Sequence, residues 1–258
     1  MITTTIEPIK PYSIQHLLLC LGLIALAVII VFFLKKLKKT TVIGTIGIIL
    51  VANEVMKQIF MRQIYTNGYS WSDIPFQLCS VPMYLCLIYP LAKKLRDTIE
   101  HFLASFGLMG AIVAFAVPYD VFARYLALSI QSIVWHEILF ILGIYCIAVV
   151  PKDKKLGWKD YVYNALLYLL LAWIAIDINA LLAKASSGTA NMFFLGPSKP
   201  YTVILDDIYE ECGWIVASAA MIACSEAGGA LLLFIGGLIR KLVHRFMRES
   251  KVKVQKED

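Results

Sequence analysis

Long apolar runs separated by short polar connections dominate the chain. Seven of them reach the roughly 20 residues that a bilayer core of about 30 Å requires. They lie near residues 14–34, 41–63, 74–92, 99–117, 126–150, 160–183 and 213–239. Each predicts a helix that crosses a membrane. The fold class expected is therefore an all-α, seven-transmembrane-helix bundle, a single domain over residues 1–258. The first run is too long for the apolar core of a cleavable signal, and Lys35-Lys36-Leu37-Lys38-Lys39 follows it as a stop-transfer flank. No internal repeat is visible, and an odd number of spans argues against a simple two-fold transporter.

The polar connections alternate in basic charge. Lys35–Lys39, Lys93–Arg96, Lys152–Lys159 and the tail from Arg240 to Lys256 together hold 18 of the 24 Lys and Arg residues. Basic residues accumulate on the cytoplasmic side, which places the N-terminus outside and the C-terminus in the cytoplasm. Trp71, Trp158 and Trp214 fall near expected span ends, where aromatic belts form. The longest connection, 184–212, falls outside. Gly188, Gly196, Pro197 and Pro200 interrupt it, so it reads as a solvated loop or as a lid over an outward cavity. Asp206, Asp207, Glu210 and Glu211 follow at helical spacing and suit the opening of the seventh helix.

Composition agrees with this picture. Hydrophobic residues make up 60% of the chain and charged ones 16%, against about 45–50% and about 25% in soluble domains. An ordinary soluble domain, a disordered chain and a nucleic-acid-binding domain are thereby excluded. The net charge of +6 is an orientation signal, not a nucleic-acid footprint. The six cysteines form no CxxC pair and no zinc spacing, so neither a disulfide framework nor a metal site is expected. No nucleotide, dinucleotide, zinc-protease or serine-hydrolase motif occurs, and no cofactor is expected. The seventh span has no central lysine, which disfavours a retinal Schiff base.

Ionisable residues inside spans are costly and are usually paired or functional. The second span carries Asn53, Glu54, Lys57, Gln58 and Arg62 along one helical face. That face reads either as an ion-pair network that fixes packing or as the wall of a site. The third span opens with Asp73 as a candidate N-cap and Pro75 in the first turn, and Cys79 follows within two turns of its positive end. Pro82 is expected to free the Leu78 carbonyl beside Cys79. In the fifth span Tyr125, Ser129, Ser132 and His136 make a polar stripe, with Gln131 at its edge. Glu137 lies about 100° round the helix from His136. Asp177 sits near the outer end of the sixth span, and Glu226 near the centre of the seventh. Lys57, Gln77, Cys79, Gln131, His136, Asp177 and Glu226 lie in the outer half or at mid-membrane. The inner half shows His101 and Asn164 as its main polar residues. A cavity opening outward, or sideways into the outer leaflet, is expected.

A cysteine and a histidine in polar stripes suit acyl transfer. The thiolate attacks an ester while the imidazole takes and returns the proton. Gln77 or Asn191 would polarise the carbonyl. Periodicity alone leaves open whether the two helices meet.

At these residues the chain resembles the YwaF family of bacterial integral membrane proteins, which is related to eukaryotic transmembrane protein 164. The resemblance rests on Pro75-Phe76-Gln77-Leu78-Cys79-Ser80, on Pro118-Tyr119-Asp120 through Gln131-Ser132 to His136, and on Asn191-Met192-Phe193-Phe194-Leu195. It implies a cysteine-dependent phospholipid acyltransferase, with a more distant similarity to androgen-induced membrane hydrolases of fatty-acid esters. It implies Cys79 as nucleophile and His136 as base, with Gln77, Ser80, Gln131, Ser132 and Asn191 in support. It further implies membrane phospholipids or lysophospholipids as partners and a bacterial cytoplasmic membrane as location. Many relatives carry His where this chain has Gln77, and a Trp-Pro-Trp-Tyr-like start to the last span where it has Glu211-Cys212-Gly213-Trp214. A different class also fits the polar residues. In it Asn53, Glu54, Lys57, Asp177 and Glu226 form the pocket of a non-enzymatic transporter or small-ligand receptor. A purely structural membrane subunit is the third reading.

Overall fold

The computed structural model describes residues 3–64, 71–118, 121–149, 156–197 and 203–257. Tyr119 and Asp120 of the Pro118 motif, Lys152, Lys154 and Lys155 of the third basic connection, and Pro200 of the longest connection lie outside them. Among the described residues the regular structure is helical, apart from an isolated bridge between Thr5 and Tyr125. The helices are α1 (Ile14–Leu34), α2 (Lys39–Ile64), α3 (Val81–Ile88), α4 (Arg96–Phe102), α5 (Leu108–Ala116), α6 (Leu126–Ala148), α7 (Trp158–Leu182) and α8 (Val203–Glu257). A π-helical turn, Leu103–Gly107, joins α4 to α5 without a break. Counting that unit as one, six described helices are long and apolar enough to cross a membrane.

The third apolar run is not a continuous helix. Its helical part, α3, has eight residues and so spans about 12 Å at 1.5 Å per residue. Before it the chain forms a 3-10 turn, Trp71–Asp73, and an irregular stretch to Ser80. Asp73 is thus not the cap of a long helix, and Ser80 occupies the N-cap position of α3. Pro82 falls in the first turn, where no backbone donor is needed, so it frees no carbonyl. The segment still runs the length of α2 in the opposite direction. Gln58 Nε2 donates to the Asp73 carbonyl at 2.8 Å near one end of α2. Near the other end, Gly44 and Gly47 face Pro90 and Cys86. A Cβ on Gly47 would lie 2.9 Å from the Cys86 Cβ, so only glycine allows this approach.

Lys39 Nζ pairs with Glu100 Oε2 at 2.7 Å, which sets the starts of α2 and α4 side by side. Lys39 and Arg96 make this the basic end of the bundle. The core lies around the π turn and α6. Phe106 stacks on Tyr168 of α7 with ring centroids 4.5 Å apart, and Leu108 packs over Gly143 of α6. α1 is apolar on all sides and largely exposed, as a lipid-facing helix should be. It packs mainly against α6. Buried His16 also pins its start, because His16 Nε2 donates to the Phe115 carbonyl at 3.0 Å.

α8 bends at Gly213, whose φ of 81° and ψ of 171° leave the helical region. The expected seventh span begins at that residue. Asp206 lies in the first turn of α8, where an acidic side chain complements the helix dipole.

Candidate functional site

Cys79 sits in the turn that leads into α3. Ser80 N donates to the Gln77 carbonyl at 2.8 Å, which closes that turn. The thiol is half-buried and packs against the hydrophobic core, with buried Ser80 next to it in the chain. Two helices hold its backbone. Gly110 of α5 lies beside it, where an added Cβ would make ordinary contact with the Cys79 Cβ at 3.6 Å. Trp135 of α6 donates from Nε1 to the Cys79 carbonyl at 3.1 Å. The turn carrying Cys79 and the helix carrying His136 are therefore in contact.

His136 follows Trp135 in α6. Its Nδ1 lies 2.8 Å from the Ser132 carbonyl, one turn back. A carbonyl only accepts, so Nδ1 carries the hydrogen and Nε2 keeps its lone pair. The Ser132 hydroxyl lies 3.4 Å from the same nitrogen, and the Phe115 ring packs edge-on against the imidazole. Among the described residues no hydrogen bond joins the Cys79 thiol to His136.

The α2 residues are largely satisfied by one another. Lys57 Nζ lies 2.8 Å from Glu54 Oε1, and Gln58 Nε2 donates to the same oxygen at 2.7 Å. Gln131 Nε2 donates to Asn53 Oδ1 at 2.7 Å and ties α6 to α2. Asp177 does not join this network. It is exposed on α7. Glu226 is on α8 near Tyr168, with Oε1 buried and unpartnered. The five residues expected to line one pocket thus fall into three places.

The long connection after α7 is neither solvated nor a detached lid over its Asn191 motif. Ala190, Met192, Phe193 and Leu195 are buried, and Phe193 stacks on Phe76 while meeting Tyr168. Polar side chains hold it there. Gln77 Nε2 donates to the Asn191 carbonyl at 2.9 Å, and Gln77 Oε1 accepts from Phe193 N at 2.8 Å. Asn179 of α7 clamps Met192 at both its carbonyl and its N–H. Asn191 Oδ1 accepts from Gly196 N at 2.7 Å. Phe193 and Phe194 take left-handed backbone conformations, with φ of 56° and 57°. Such conformations are strained for bulky residues and persist only where the surroundings enforce them. Both ends of the Gln77 amide are thereby occupied in anchoring this plug two residues from the thiol.

Trp135 and Asn179 escaped prominence in the sequence because each joins its partner only through the tertiary fold. The one local signal for Trp135 is its position beside His136.

Six described helices of membrane length and a thiol held between α5 and α6 define a multi-pass helical membrane protein. The model of the TMEM164 family matches residues 11–228, so the chain belongs to that family. No curated protein and no solved structure matches it.

Proposed function

We propose that the protein is a membrane lipid acyltransferase or lipid-ester hydrolase that works through Cys79 and His136. The observation that carries this reading is the His136 tautomer. Its Nε2 is left as a base on the helix whose preceding residue, Trp135, holds the Cys79 turn. In the proposed step, Nε2 takes the thiol proton as sulfur attacks the ester carbonyl. The C–O bond breaks, the leaving alcohol collects the proton, and an acyl thioester remains on Cys79. A lysolipid hydroxyl then attacks to complete transfer, or water attacks to complete hydrolysis. The proton again passes through His136. Catalytic hydrogen bonds commonly tighten only once substrate is bound, so the lack of a direct thiol–imidazole bond does not oppose the reading.

Membership of the TMEM164 family supports the acyltransferase class. The resemblance to membrane fatty-acid-ester hydrolases supports hydrolysis as the other outcome. In this reading Gln77 and Asn191 serve by seating the plug, and Ser132 by orienting His136. The same proposal has seven passes, with the Trp71–Pro90 segment as the third, the N-terminus outside and the basic end in the cytoplasm of a bacterial cell. Purified protein supplied with labelled phospholipids and lysophospholipids tests it. Label should exchange in the wild type and fall to background in Cys79→Ala. Equal turnover in the variant would remove Cys79 as nucleophile.

A further inference from the structure

Residues 190–196 fold as a unit of their own. Asn191 Oδ1 closes the loop by accepting from Gly196 N at 2.7 Å. Within it, Phe194 N donates to the Asn191 carbonyl and Leu195 N to the Met192 carbonyl. The two ends touch, since a Cβ on Gly196 would lie 2.8 Å from the Ala190 carbonyl oxygen. Compact loops with adjoining ends are frequently functional. Because the ends stay together, such a loop can move without unravelling its flanks. The flank before it turns at Ser187 and Gly188, both left-handed with φ of 51° and 81°. Gly188 has open space where a side chain would stand.

Two side-chain amides fasten this unit to the bundle with four hydrogen bonds. Gln77 holds the Asn191 carbonyl and Phe193 N, and Asn179 of α7 holds both backbone groups of Met192. Against these bonds stands the strain at Phe193 and Phe194, which the seated loop stores and a raised one releases. Gln77 also belongs to the thiol turn. Its carbonyl accepts from Ser80 N at 2.8 Å and from Val81 N at 3.2 Å, on either side of the step from Cys79 into α3. Phe76, one residue earlier, is the ring on which Phe193 stacks. The loop therefore rests on the residues that lead into the thiol turn.

We propose that residues 190–196 are a latched lid on the Cys79 site. Seated, the lid covers the thiol turn. A lipid reaches Cys79 when the Gln77 and Asn179 bonds let go and the loop lifts about Ser187 and Gly188. Lids of this kind admit substrate and then exclude water. The lid's purpose rests on the acyl-transfer reading of Cys79, whereas its movement does not.

The test therefore reads access to the thiol as well as turnover. The full chain in lipid nanodiscs is treated with N-ethylmaleimide, and the label on each cysteine is followed by mass spectrometry of its peptide. Asn179→Leu removes the α7 half of the latch. Loss of two hydrogen bonds shifts opening about tenfold, so Cys79 should label about tenfold faster. Buried Cys86 and Cys146 should keep their wild-type rates. Oxidation of the pair Asn179→Cys with Met192→Cys should slow Cys79 labelling below the wild-type rate, and reduction should restore it. Unchanged Cys79 labelling in either variant would overturn the lid. So would a parallel rise at Cys86 and Cys146, which reports general loosening. If Asn179→Leu does not fold, Asn191→Ala removes the acceptor that closes the loop and supplies the variant arm, with the same outcomes. Lipid turnover keeps the two readings apart. Equal turnover in Cys79→Ala, together with the expected labelling, would remove the nucleophile and leave the lid.

Discussion

The Trp135 indole donates its only hydrogen to the Cys79 carbonyl, 56 positions earlier in the chain, at 3.1 Å. That bond couples the thiol-bearing turn to the helix that carries His136. Trp135→Phe keeps most of the ring volume and removes the donor. We expect a loss of about 0.5–1.5 kcal/mol and faster labelling of Cys79 by a membrane-permeant maleimide. Unchanged labelling and an unchanged unfolding midpoint would mean that the bond does not position the turn.

His136→Gln separates base chemistry from packing. Loss of a general base lowers turnover by roughly 10²- to 10⁴-fold. The unfolding midpoint should move far less. Initial rates on the lipid substrate of the wild type decide the matter. A variant with full activity would rule out proton transfer through His136.

Gln77→Leu removes both bonds that hold the Asn191–Phe193 backbone. Two buried backbone groups then lose their partners, at about 1–3 kcal/mol each. Hydrogen exchange should show faster exchange at residues 190–196 with α6 unchanged. If protection of that segment persists, Gln77 is not its anchor.

Gly143→Ala tests the closest approach in the core. A Cβ at Gly143 would lie 2.6 Å from the Leu108 Cβ. Overpacking of this kind costs roughly 1–3 kcal/mol. A lowered unfolding midpoint is expected, and an unchanged one would mean that α5 and α6 can separate here without cost.

The proposed orientation has a direct check. Cys212 is exposed on the α8 segment before the Gly213 bend, away from the basic end. An impermeant maleimide added to intact cells should label it, whereas a cysteine replacing Lys38 should react only after lysis. The reverse pattern would invert the topology.

The long helices were legible because hydropathy is additive along a run, and α1, α2, α6 and α7 needed nothing else. The Trp71–Pro90 segment was not. Leu78 to Leu91 has the same apolar composition whether helical or irregular, and its path is set by Gln58, Gln77 and Trp135 from elsewhere. The connection after α7 misled for a related reason. Gly188, Gly196 and Pro197 announce a loop, and nothing local says that Met192 and Phe193 will be buried by Asn179 and Gln77. Cys79 and His136 stood out as reactive groups, but the Trp135 bond that joins the Cys79 turn to the His136 helix is a tertiary fact. Glu100 was overlooked because it lies at the start of an expected span, where charge is ordinarily solvated. Its pairing with Lys39 of α2 cannot be read from either helix alone.

α1 rests mainly on α6, and α2 through α5 are synthesised between the two. During biosynthesis α1 therefore enters the bilayer well before its protein neighbour exists. Lipid must serve as its solvent on every side for that interval, which accounts for its lack of a polar face. His16, which reaches Phe115 of α5, can latch only once α5 has arrived. Insertion of α1 and its docking are thus two separate events, the first governed by the bilayer and the second by a buried histidine.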